Sequence, residues 1–69
     1  MKSFPVESRI IQGVAFSQID GQLRITFKNG EVRRFTDVTE DAVIAMCSAD
    51  SPGQHYIDHI RQQFPRLVA

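Results

Sequence analysis

Leu23-Arg24-Ile25-Thr26-Phe27-Lys28-Asn29-Gly30-Glu31-Val32-Arg33-Arg34-Phe35 alternates apolar with polar residues, breaks at Asn29-Gly30, and resumes. Alternation with period two gives a strand one buried face and one wet face. Asn-Gly between two such runs signals a tight hairpin, because both residues tolerate positive φ. Leu23, Ile25 and Phe27 therefore face a core, and Arg24, Thr26 and Lys28 face away from it. The returning strand, residues 31–36, is compatible with two registers. A two-residue turn sets Phe27 opposite Val32 and Ile25 opposite Arg34. A three-residue loop with a glycine bulge sets Ile25 opposite Arg33 and Leu23 opposite Phe35. In both registers Arg24, Lys28 and one of Arg33 and Arg34 share the outer face.

Working outward, residues 9–17 read as a preceding strand. Ile10, Gln12, Val14 and Phe16 fall on one face, and Ile11, Gly13 and Ala15 on the other. Apolar groups on both faces suit a central strand, and Gly13 marks a bulge or a close backbone approach. Gln18-Ile19-Asp20-Gly21 reads as a turn. Met1 to Pro5 reads as a loose terminus. On the other side the hydrophobic period changes near Asp37. Thr39 is a helix N-cap, with Glu40 and Asp41 in a first turn whose dipole favours anions. Val43, Met46 and Cys47 form the stripe of that helix, with Ile44 to its side. Ser51-Pro52-Gly53-Gln54 reads as a capping box for a second helix, running from Pro52 to Gln63 or Phe64. Tyr56, Ile57, Ile60 and Phe64 form its stripe, and Pro65 stops it. Strands followed by helices predict an α+β fold: a three-stranded antiparallel β-meander with two α-helices packed on one face. The other face stays wet, as antiparallel sheets permit. Residues 1–69 are expected to form a single domain, ordered over about 6–65.

Composition narrows the function. The chain has 69 residues, eight basic and eight acidic side chains, and no formal net charge. A pure phosphate binder usually carries a basic excess. The charge is segregated, however. Arg24, Lys28, Arg33 and Arg34 stand against Glu31 alone, whereas Asp37, Glu40, Asp41 and Asp50 lie in a stretch without Lys or Arg. The folded protein should thus have a basic end and an acidic end. A lone Cys47 excludes an intramolecular disulfide, and no zinc-ligand spacing is present. The N-terminal residues lack the apolar run of a signal peptide, and no apolar run is long enough to span a bilayer. A cytoplasmic protein without membrane contact is the expectation. A domain this small has no room for a deep catalytic cleft.

Taken together, these residues resemble the KTSC family, the small domain found at the C-terminus of some lysyl-tRNA synthetases and as stand-alone bacterial proteins. The resemblance rests on Val6-Glu7-Ser8 before the Ile-rich strand, on Leu23 to Phe27 followed by Asn29-Gly30, and on Phe35 leading to Val38. It continues through Ala49-Asp50-Ser51-Pro52-Gly53 and ends in Ile60-Arg61 before Phe64. The family's Tyr-x-Tyr motif falls on Arg33-Arg34-Phe35, with the first aromatic replaced by arginine. The tRNA-synthetase context of the family implies contact with RNA, and a guanidinium plane can substitute for a lost aromatic by stacking on a base or pairing with phosphate.

The candidate site is accordingly a nucleic-acid platform made of Arg24, Lys28, Arg33, Arg34 and Phe35, with cations for phosphate and a ring for a base. The competing reading is a solvated sheet face whose charges discourage edge-to-edge aggregation. His55 and His59 have the i, i+4 spacing of a metal pair, but a site needs further ligands, and exposed helical histidines explain them equally. Cys47 on an apolar stripe reads as inert, Ser51 as a cap, and Tyr56 as core. No catalytic residue, cofactor or metal is expected, and hence no enzyme. The expected function is a small non-catalytic binding module with weak affinity for single-stranded or tRNA-like RNA. The alternative is a protein–protein adaptor, with Val32 or Phe35 supplying an apolar patch according to register.

Overall fold

The computed structural model describes residues 1–66. Strands β1 (Lys2–Phe4), β2 (Ile11–Ser17), β3 (Gln22–Phe27) and β4 (Val32–Phe35) precede helices α1 (Glu40–Ser48) and α2 (Pro52–His55). Helix α2 runs directly into a π-helical turn, Tyr56–Ile60. The four strands form one antiparallel sheet in sequence order. The fold is α+β as expected, with one strand more than the sequence reading contains.

The hairpin takes the second register. Leu23 pairs with Phe35, Arg24 with Arg34, Ile25 with Arg33 and Thr26 with Val32. The loop closes through Gly30 N–H to the Phe27 carbonyl at 3.0 Å and Phe27 N–H to the Glu31 carbonyl at 2.8 Å. Asn29 Oδ1 accepts from Glu31 N–H at 2.9 Å. Gly30 has φ +94°, the left-handed conformation that a glycine bulge requires.

The extra strand corrects the loose terminus. Phe4 pairs with Val14, and its ring meets Phe16 edge-on at 6.3 Å. Three residues ending before Pro5 carry too short a pattern to read as a strand; the contact with Phe16 holds them. The face assignment of β2 also changes. Its register slips between Ile11, which pairs with Phe27, and Gly13, which pairs with Thr26, so that Gln12 is the extra residue of a bulge. This bulge moves Ile11, 1% exposed, into the core beside Val14 and Phe16 and turns Ile10 outward.

Helix α1 begins as read, with Thr39 Oγ1 accepting from Ala42 N–H at 3.2 Å. Val43 and Met46 are fully buried, whereas Cys47 is half-buried and Ile44 exposed. The second helix departs from expectation. Ser51 makes no side-chain cap, and the Gln54 amide donates to Asp58 Oδ1 at 3.0 Å instead of reaching back. The α-helical part ends at His55 and the π-turn at Ile60, rather than near Phe64. A Cβ at Gly53 would lie 2.6 Å from Ile10 Cδ1, so a larger residue there would require the exposed Ile10 side chain to shift. Both helices pack on the inner face of the sheet. Tyr56 sits at the centre of this contact, edge-on to Phe27 at 5.4 Å and to Phe35 at 5.9 Å.

Candidate nucleic-acid interface and the groove behind it

The register sorts the basic residues of the hairpin. Arg24 and Arg34 are exposed and lie directly opposite one another on the wet face. Among the described residues neither forms an ion pair, the single salt bridge being Arg33 to Glu31 at 3.3 Å. Like charges directly opposed across two strands are unfavourable, so this pair costs stability unless an anion neutralises it. Lys28 is exposed in the turn.

Two of the predicted site residues do not join them. Arg33 lies on the inner side, opposite Ile25. Phe35 is 1% exposed and packs against Tyr56, so its ring cannot stack on a base. The reason is the same for both. The three-residue loop gives odd positions of β4 to the core, and Phe35 fills it next to Leu23. The wet face is therefore a purely cationic surface around Arg24 and Arg34, with Val32, 49% exposed, as its apolar neighbour.

Arg33 instead borders a groove of about 580 Å³ between the hairpin and the C-terminal helix. Phe27, Ile10 and Ile57 form its apolar walls, and Arg9, Lys28, Arg33 and Arg61 supply its charge against Glu31. Tyr56 also lines it. That residue is 4% exposed, and its hydroxyl is fully buried without a hydrogen-bond partner. Burial raises the Tyr56 hydroxyl above its ordinary pKa, while the nearby Arg33, Arg61 and Arg66 guanidinium groups pull it back down. The π-turn makes this arrangement. Arg61 N–H donates to the Tyr56 carbonyl at 2.8 Å, five residues back. Regular α-helix brings i, i+3 and i+4 together, whereas this wider turn brings Tyr56 and Arg61 to one groove.

The remaining candidates stay apart. The His55 and His59 rings lie 4.6 Å apart, tilted by 45°, and burial together with His59 lowers the His55 pKa despite the opposing pull of Asp58. Among the described residues no three His, Cys, Asp or Glu side chains are placed to hold one metal ion. Cys47 borders a separate hollow with Val6 and Asp50, which neither histidine reaches. No helix among the described residues is long and apolar enough to cross a membrane.

The model of the KTSC domain family matches residues 7–64. The chain belongs to the KTSC family. The crystal structure of a KTSC domain protein from Yersinia pestis is similar to it with a TM-score of 0.85 at 24% sequence identity. That likeness covers 99% of this chain and 96% of the other, and at this identity it concerns the fold. No curated protein matches the chain. The KTSC match begins after β1 and takes in both partners of the π-turn. Tyr56 and Arg61 escape a sequence reading because an i, i+5 pair shares no face of an α-helix, and Arg9 because the β2 bulge reorders its strand. The one local signal was the aromatic Tyr56 followed by Arg61 on a helix rich in polar residues.

Proposed function

We propose that this KTSC domain is a non-catalytic binding module that holds RNA weakly on the wet face of its sheet. The observation that carries the reading is the exposed Arg24–Arg34 pair, opposed across β3 and β4 with no carboxylate beside it among the described residues. Phosphate oxygens relieve the repulsion and gain charge-assisted hydrogen bonds. The tRNA-synthetase context that the KTSC resemblance implies favours RNA over other polyanions. With both aromatics of the hairpin, Phe27 and Phe35, buried, binding depends on phosphate rather than base. It should therefore be insensitive to sequence and should weaken with salt through counterion release. An adaptor for another protein would have to use Val32 as its single large apolar contact on this face, which is small for a stable interface.

The test is a titration of labelled single-stranded and tRNA-like RNA at low and moderate salt. Dissociation constants of about 10⁻⁴–10⁻⁶ M at physiological salt are expected. With three phosphate contacts the log–log salt slope should be about −2. Arg24→Glu with Arg34→Glu should abolish binding and leave the domain folded. Binding that ignores salt, or survives the double reversal, would overturn the reading.

A further inference from the structure

We propose that the groove behind the hairpin binds a phosphate monoester carried on a small planar or apolar body, with the Tyr56 hydroxyl and the Arg33 and Arg61 side chains as its anion ligands. The groove lies on the helix-covered side of the sheet, whereas Arg24 and Arg34 occupy the wet side, so this site is distinct from the RNA surface proposed above and shares with it only Lys28 at the turn.

Three observations converge on it. The first is the orphaned hydroxyl. Buried polar atoms in folded proteins nearly always have a partner, and leaving one unpaired is costly. Tyr56 lines the groove, is 4% exposed, and has none. A phosphate oxygen in the groove supplies the missing acceptor once the side chains that cover the hydroxyl move aside, as they must because it has no accessible surface here. The second is charge. Arg33 and Arg61 both border the groove, and both lie close enough to the Tyr56 hydroxyl to influence its ionisation. Arg9 adds a further cation at the wall, and Glu31, already engaged by Arg33 at 3.3 Å, is the one acid there. A dianionic ligand displaces Glu31 from Arg33 and takes a bidentate pair in its place. The third is shape. A volume of about 580 Å³ falls within the range of small-molecule sites and far exceeds a bare phosphate. Phe27, Ile10 and Ile57 provide apolar walls for the rest of the ligand. The π-turn Tyr56–Ile60 supplies the placement. It is this turn that brings Tyr56 and Arg61 to the same groove.

The same chemistry reaches a protein from two sources: a free mononucleotide, or the 5′-phosphorylated end of an RNA strand. The experiment uses the full chain and follows the Tyr56 and Phe27 ring resonances by NMR during titration. The probes are uridine 5′-monophosphate, inorganic phosphate, and a short RNA with either a 5′-phosphate or a 5′-hydroxyl. Uridine 5′-monophosphate should give saturable shifts at both rings. Inorganic phosphate should bind more weakly, having nothing to place against the apolar walls. Tyr56→Phe keeps the ring packing and should weaken the mononucleotide at least about tenfold by removing a hydrogen bond to a charged group. Arg33→Gln with Arg61→Gln should abolish the shifts. If the 5′-phosphorylated RNA binds the groove more tightly than the mononucleotide and the 5′-hydroxyl strand does not perturb it, the source is an RNA end. Equal affinities for the mononucleotide and the phosphorylated strand make it a free nucleotide. The proposal is overturned if no probe gives saturable shifts at Tyr56, or if Tyr56→Phe binds uridine 5′-monophosphate as well as the wild type. Loss of RNA binding on charge reversal at Arg24 and Arg34 tests the wet face alone, so the two readings fail separately.

Discussion

Tyr56 carries two demands that conflict. Its ring joins the hairpin to the C-terminal helix through Phe27 and Phe35, and its hydroxyl is buried unpaired. Tyr56→Phe therefore keeps the packing and removes the orphan. Chemical denaturation should show it as stable as the wild type, or more so by up to about 1–3 kcal/mol. A loss of stability would mean that the hydroxyl is paired in solution. Phe27 lacks that ambiguity: it is 8% exposed within the core. Phe27→Ala should cost about 3–5 kcal/mol, most of what a domain of this size possesses. Cys47 gives a chemical check on packing. Burial raises its thiol pKa, so alkylation by iodoacetamide at pH 8 should run slower than for the unfolded chain.

The elements divide by how local their causes are. In β3 the alternation alone assigns both faces, and the structure keeps that assignment: Leu23 and Ile25 are fully buried and Arg24 is exposed. In β4 the alternation permits two phases, and packing chooses. Phe35 against Leu23 and Tyr56 fills more core than Val32 would, which sends Arg34 outward and Arg33 to the groove. Arg33→Glu and Arg34→Glu, made separately, should thus differ: Arg34→Glu should weaken RNA binding on the wet face and Arg33→Glu should spare it, as a filter-binding assay at low salt would show. Strand β1 depends on one tertiary contact, the edge-on pair of Phe4 and Phe16. Phe4→Ala, a partly exposed position, should cost about 1 kcal/mol and raise amide exchange in Lys2–Phe4 before the rest of the sheet.

At the scale of the whole molecule, charge segregation and pH set the behaviour. The His55 pKa is lowered from an ordinary value of 6.5, by burial first and then by His59. The unfolded chain therefore binds more protons than the native one below that value. Stability is full above about pH 6.5 and falls as the pH drops through the window down to the lowered native pKa. The effect is modest because both rings are near solvent. Urea midpoints at pH 7.5 and 5.5 should differ in that sense, and His55→Gln should reduce the difference.

What the amino-acid sequence determined by itself were the features with local causes. The hairpin at Asn29-Gly30, the faces of β3, the Thr39 cap and the α+β order each follow from periods and turn chemistry within a few residues. The ordered string of short motifs sufficed to bring the KTSC family into view. Tertiary structure decided the rest, because there the local options were nearly equal in energy. The phase of β4 and the shift of Ile11 into the core were selected by contacts with residues distant in sequence. The π-turn that unites Tyr56 with Arg61, and with it the groove, joins residues five apart, a spacing that regular helix does not bring together. Helical periodicity has no term for such a turn, so the side chains it brings together could be seen only in the folded chain.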